Sequence, residues 1–397
     1  MRLTDINFKK LFLIYIIFLI FCSIYFLFKT YPSTVNNSMA EWVINYSGGF
    51  GRRGFLGEIL SNISIFFDLP YRKLIFIFLS IVFCFYYGLI YFFIKNIILN
   101  KWIILVILSP LFLIFPIAEL EALGRKDILI PFFFIIYIFF NEKFNFYLSV
   151  IFLIFIYSIL LLTHEVSMFY IQYFYIILLL KHQTLNLNKI LTIILISILF
   201  LSIIYLLSQS IHSEEKFNLL CQNLKENFNE KCGLGAFMLK RTLSENILEV
   251  KGFNQNHILT NLIIFIIGYI VLILFTINSE FKSTNILSRF FNFKVLSLLL
   301  FIPTILPFFI AVDWGRWYNL SYTMSALYLI FNIKYNKVLF TESIFLKRIN
   351  YFLFSTKKKF FLFLIIFCFS WNPKAVYHED IGSIPIYRAI LKIHKYF

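Results

Sequence analysis

The sequence predicts an all-α fold, a polytopic bundle of transmembrane helices, on three observations. Of 397 residues, 60% are hydrophobic and only 14% charged, with a mean hydropathy of +0.84, which leaves too little polar surface for a water-soluble domain of this size. Many apolar runs reach or approach the roughly 20 residues that cross a bilayer as helix. Those runs are continuous rather than alternating, which excludes a β-barrel.

The elements follow in order. The first run, 11–28, comes after Lys9 and Lys10 as a signal peptide would, but it is long and no clear small-residue cleavage site follows. It reads as an uncleaved first span. Further spans are expected at 74–94, 102–118, 128–140, 146–163, 166–180, 190–208, 258–277, 295–312, 320–333 and 360–371, about eleven in all. Two polar segments are long, 29–73 and 209–257. Two shorter ones, 278–294 and 334–359, are basic, and a tail, 372–397, closes the chain. The whole, 1–397, reads as a single integral membrane domain with no visible internal repeat.

The formal net charge is +16. In a soluble chain this would point to nucleic acid. Here basic residues flank spans and set topology, and no phosphate-binding glycine loop, zinc spacing or basic repeat appears, so no nucleic-acid partner is expected. With the long loops and the tail set aside, one face carries nearly all the Lys and Arg of the short loops, and the other only Arg125, Lys126 and Arg316. That favours a cytoplasmic N-terminus. Cys22, Cys84 and Cys368 fall in apolar runs and read as packing residues. Cys221 and Cys232 share the loop 209–257, on the opposite, oxidising side, where a disulfide is feasible; their spacing does not suit a metal.

Unusual polar residues gather in the odd-numbered loops, which hairpin parity assigns to one membrane face. "SGGFGRRGFLGE", residues 47–58, carries Arg52, Arg53 and Glu58, with Glu41 upstream. "ELEALGRKD" carries Glu119, Glu121, Arg125, Lys126 and Asp127. "THE" carries His164 and Glu165, and "VDWGRWYN" carries Asp313 and Arg316. Each admits a plain reading: interfacial anchoring for Arg52 and Arg53, a loop ion pair for Arg125 to Asp127, a turn for His164–Glu165, an i,i+3 pair for Asp313 and Arg316, interface aromatics for Trp314 and Trp317. Mere anchors, however, would scatter over both faces. Charges near bilayer depth pair or line a cavity. Arginine forks suit phosphate or carboxylate oxygens, and glycines let backbone approach a ligand. An anionic ligand at the outer face is the inference.

"GGFGRRG", "GRKD", "HE", "DWGRW" and the loop 209–257 together resemble the Wzy-type O-antigen and capsule polymerases of Gram-negative bacteria. That loop also contains "RTLSENILEVKG", Arg241 to Gly252, an Arg-x10-Gly spacing described for the family; a second such spacing is absent. The resemblance implies a GT-C-like bundle in the bacterial inner membrane that transfers glycan from undecaprenyl diphosphate to a lipid-linked repeat unit at the periplasmic face. It implies Arg52, Arg53, Arg125, Lys126, Arg316 and Arg241 on the diphosphate, and Glu165 or His164, with Asp313 in reserve, as the base. It implies neither metal nor other cofactor, and as partners the undecaprenyl-diphosphate-linked oligosaccharide, membrane lipid and a chain-length regulator. Three rival readings stay open: a GT-C transferase using a polyprenyl-phosphate sugar, with Glu41 or Glu58 as its acid, a lipid-linked glycan flippase or transporter, and a ligase joining glycan to a lipid core.

Overall fold

The computed structural model describes residues 5–33, 39–98, 100–182, 186–210, 213–253, 255–282 and 286–375. The tail beyond residue 375, and parts of both long loops (34–38, 211–212 and 254), lie outside the described residues. Among the described residues the secondary structure is helical apart from one antiparallel ribbon, in which Ser279–Phe281 pairs with Val338–Phe340, Glu280 opposite Leu339. It divides into two compact units. The first comprises Ile20–Ile90 and Leu120–Leu248; the second comprises Tyr91–Glu119 with the described parts of Met1–Leu19 and Glu249–Phe397.

Among the described residues, six helical segments are long and apolar enough to cross a membrane: Phe8–Thr30, Tyr71–Ile94, Phe146–Thr163, Leu187–Ser208, Gln255–Ile277 and Phe293–Ile310. The other expected spans take different forms. The stretch 102–118 breaks after the helix Lys101–Leu108 at Ser109–Pro110. Leu129–Lys143 and Lys357–Phe369 are 15 and 13 residues long. The stretch 166–180 begins as a 3-10 turn, Glu165–Tyr170, before the helix Ile171–Lys181. Trp314–Lys334 is long enough, at 21 residues, but carries too many polar side chains to read as a span by hydropathy.

Helices that leave the even-numbered loops share a start signal. Asn100, Asn145, Asn186 and Asn292 are N-caps whose side chains accept from the backbone N–H three residues on, satisfying donors that the first turn leaves free. The helices Phe55–Phe66, Leu129–Lys143, Ile171–Lys181 and Trp314–Lys334, which leave odd-numbered loops, have no side-chain cap.

In the first unit, Phe146–Thr163 and Ile171–Lys181 run antiparallel. The His182 ring meets the Phe146 ring edge-on at 5.6 Å, and Lys181 Nζ reaches back to the Phe144 carbonyl. The apolar stretch 146–180 is therefore a hairpin that turns at His164. Cys221 and Cys232 are bonded, closing a loop around Glu230. Glu230 accepts two 2.7 Å hydrogen bonds from Arg72 Nε, and Arg72 Nη1 donates to the Ser33 carbonyl. This buried pair fastens the large loop to the start of the helix Tyr71–Ile94.

In the second unit the polar helix Trp314–Lys334 is buried along most of its length. Its side chains satisfy carbonyls that interrupted neighbours leave without helical partners. Asn319 Nδ2 donates to the Leu111 and Phe112 carbonyls at 2.8 and 3.1 Å, just past the break at Ser109. Tyr322 Oη donates to the Val106 carbonyl, and Ser321 Oγ to that of Thr304, within the 3-10 turn Ile302–Ile305. Irregular backbone in an apolar surrounding persists only where such partners exist. Asn319→Leu should therefore lower stability by on the order of 1–3 kcal/mol, through orphaned carbonyls. Thermal unfolding of the detergent-solubilised protein measures it, and an unchanged midpoint would count against the arrangement.

Candidate functional site

The glycine-rich stretch folds on itself. A Cβ at Gly54 would lie 2.3 Å from the Tyr46 ring, and one at Gly57 only 1.8 Å from the Ile44 carbonyl oxygen. The sequence leaves these glycines open to a ligand; in the structure they face the chain's own backbone and an aromatic ring. Glu58 fixes the turn by accepting from the Tyr46 N–H at 2.8 Å. Tyr71 Oη donates to the Gly57 carbonyl at 2.9 Å, and the buried Trp42 indole N–H to that of Gly124 at 2.6 Å. Arg53, at the tip, sits at φ 67°, a left-handed conformation that a side-chain-bearing residue adopts only when its surroundings enforce it. The fully buried Lys126 supplies one such constraint, with Nζ donating to the Arg53 carbonyl at 2.6 Å.

From this tip runs a chain of alternating charge. Arg125 Nη1 donates to Glu41 Oε1 at 2.6 Å, and the same oxygen is 4.0 Å from Arg53 Nη1. Arg53 binds both oxygens of Glu165, from Nε at 2.8 and 2.9 Å and from Nη2 to Oε1 at 2.5 Å. Glu165 Oε2 lies 3.9 Å from His164 Nδ1, and His164 Nε2 is 2.7 Å from Asp127 Oδ1. The order is Arg125, Glu41, Arg53, Glu165, His164, Asp127. Three segments distant in sequence supply it, all within the first unit. Its accessible edge is formed by the side chains of Arg53 and Arg125, each 13% exposed, and Glu165, 22% exposed; Glu41 and His164 are buried.

The electrostatics follow from this order. Burial opposes protonation of His164, but its hydrogen bond to Asp127 and the nearby Glu165 carboxylate prevail and raise its pKa. Burial likewise opposes the charge on Glu165, yet the Arg53 guanidinium and His164 hold its carboxyl well below the usual range. Burial brings Lys126 down to about 7, with Glu41 partly offsetting it. Glu165 paired in this way is a weak base, and His164 is held between two carboxylates.

Arg52 Nη2 donates to the Met238 and Arg241 carbonyls at 2.5 and 2.7 Å, binding the tip to the large loop. Arg241 thus meets Arg52 through its backbone, and its side chain is not the group in that contact. Asp313 and Arg316 belong to the second unit, where they form an i,i+3 ion pair and the Arg316 guanidinium lies 5.0 Å over the Trp317 ring. Asp127 pairs with His164, and the Arg125 guanidinium takes the Glu41 carboxylate through Nη1 while its Nε donates to the Glu121 carbonyl at 3.2 Å. The role of Glu41 and the Arg72–Glu230 clamp were not foreseen. Arg72 reads in sequence as an ordinary basic flank of a span, and nothing local to Glu41 names its partner 84 residues on. Among the described residues no three His, Cys, Asp or Glu side chains are grouped to hold a metal.

No family model, curated protein or solved structure matches this chain.

Two outcomes are expected. Gly57→Ala should destabilise the first unit by more than about 2 kcal/mol, since backbone would have to move. Lys126 has a folded-state pKa below its unfolded one of 10.5, so its burial lowers stability fully below about pH 7 and progressively less up to 10.5. The stability of wild type relative to Lys126→Met should thus rise across that window in thermal melts recorded at stepped pH. A flat difference curve would mean that Lys126 is charged and solvated.

Proposed function

We propose that this chain is a polysaccharide polymerase of the Wzy type, a GT-C-like bundle of about eleven membrane segments, short and broken ones included, in the bacterial inner membrane. It transfers a growing glycan from undecaprenyl diphosphate to a lipid-linked repeat unit at the periplasmic face. The observation that carries this reading is the alternating ladder of Arg125, Glu41, Arg53, Glu165, His164 and Asp127, with two guanidinium forks and one carboxylate on its accessible edge. A lipid diphosphate suits those forks, because planar paired donors match phosphate oxygens.

The chemistry proceeds by exchange. The donor diphosphate takes Arg53 and Arg125 as partners and displaces Glu165 from Arg53. Once Arg53 is neutralised by phosphate, the basicity of Glu165 rises. Glu165 then accepts the proton of the acceptor hydroxyl as that oxygen bonds the anomeric carbon. The bond from that carbon to the diphosphate oxygen breaks, and its electron pair leaves on undecaprenyl diphosphate. Arg53 and Arg125 stabilise the departing charge, with Lys126 holding the Arg53 main chain and Glu41 the Arg125 guanidinium. His164, anchored by Asp127, orients Glu165. Asp313 and Arg316, closed on one another, carry no step.

Surface-glycan ladders test this. Arg53→Ala and Arg125→Ala should leave single-repeat glycans with no lengthening while the protein still inserts. Arg53→Lys should also be impaired, because a point charge cannot replace a fork. Glu165→Gln should slow lengthening by roughly 100-fold or more. Ladders of normal length from these variants would overturn the assignment. Loss of even single repeats from the surface, with lipid-linked units accumulating inside, would favour transport instead.

A further inference from the structure

The basic stretch 334–359 has no part in the chemistry above, and its structure is unlike a plain connection between spans. After the ribbon strand Val338–Phe340, the chain forms an 11-residue helix, Ile344–Phe354, N-capped by Ser343. It is too short to cross a bilayer. It is attached on one side through Leu346 and Phe354, both buried. Lys101 Nζ donates to the Phe354 carbonyl at 2.7 Å, and Trp102 packs edge-on against the Phe354 ring at 5.5 Å.

The opposite face is contradictory for either simple solvent. Ile344, Phe345, Tyr351 and Phe352 are 74, 60, 82 and 73% exposed, which is unfavourable in water. Lys347 and Arg348 are exposed on the same turns, which is unfavourable in hydrocarbon. Only the headgroup boundary accommodates both, with rings in the acyl edge and cations at the phosphates. A second feature agrees. Lys357, Lys358 and Lys359, all exposed, occupy the first turn of the helix Lys357–Phe369, where the helix dipole is already positive. From Ser343 to Lys359 there is no Asp or Glu to compensate them.

We propose that the helix Ile344–Phe354, together with Lys357–Lys359, forms a docking surface for anionic phospholipid headgroups of the bilayer in which the protein sits. The aromatic face sets the depth of the helix, and the cations select lipids with a net negative charge over zwitterionic ones. The proposal is independent of the glycan chemistry, and its failure would leave that reading untouched.

The full chain, solubilised in mild detergent from membranes of mixed phosphatidylglycerol and phosphatidylcholine, is suited to native mass spectrometry of retained lipid. Wild type should keep phosphatidylglycerol over phosphatidylcholine by roughly five-fold or more at low salt, and less at high salt. K347Q/R348Q, which leaves the lysines flanking the last helix intact and so preserves its insertion signal, should lose much of that preference. K357Q/K358Q/K359Q should lose more, and the control K9Q/K10Q should keep it. Equal retention of both lipids by wild type, an unchanged preference in K347Q/R348Q, or an equal loss in the control overturns the proposal. So does displacement of phosphatidylglycerol by an acidic peptide, which would make the surface a protein-docking site.

Discussion

The polar end of the first unit depends on the Arg53–Glu165 ion pair. Charged groups beside a bilayer are stable only when matched, and this pair joins two half-chains of charge, Arg125–Glu41 on one side and His164–Asp127 on the other. The geometry of Arg53 is enforced from beneath: a left-handed backbone, a lysine on its carbonyl, and glycines that allow the loop to close beneath it. Residue 165 is set by the hairpin of Phe146–Thr163 and Ile171–Lys181, whose turn it occupies. A side chain held by such independent supports has a defined position before any ligand arrives, which is the condition for electrostatic preorganisation.

The same requirement, that polar groups in an apolar surrounding have partners, shapes the second unit by other means. There the groups needing partners are main-chain carbonyls exposed where two apolar segments break. The partners are Asn319, Ser321 and Tyr322 of the helix Trp314–Lys334. This explains why that helix is both buried and polar, and why hydropathy does not count it as a span. The caps divide along the same line. Asparagines cap the helices that begin at Lys101, Phe146, Leu187 and Phe293, while those that begin at Phe55, Leu129, Ile171 and Trp314 have no side-chain cap.

The glycan-polymerase reading draws its force from the combination of matched charge and partial access. A fully buried ladder would be structural, and a fully exposed one would be screened to little effect. Here two guanidinium groups and one carboxylate remain partly accessible on an otherwise buried network, and the proposed diphosphate exchange rests on that access.

The sequence alone determined the helical class and the place of the long apolar helices, because hydropathy over some twenty residues is a local property. The helix Phe146–Thr163 occupies the segment that its apolar run defines, and its turn at His164 was legible as a charged pair within a greasy stretch. The clustering of Arg53, Arg125, His164 and Glu165 was legible as polarity confined to odd-numbered loops. Partner choice was not. Glu41 with Arg125, Asp127 with His164, and Arg72 with Glu230 are selected by distances of a few ångströms in a medium of low dielectric, and sequence separation carries no information about those distances. Nor could the sequence say what the glycines face, since a missing Cβ is equally useful against a ligand, a ring or a carbonyl. Tertiary structure decided these, because only packing determines which surfaces meet.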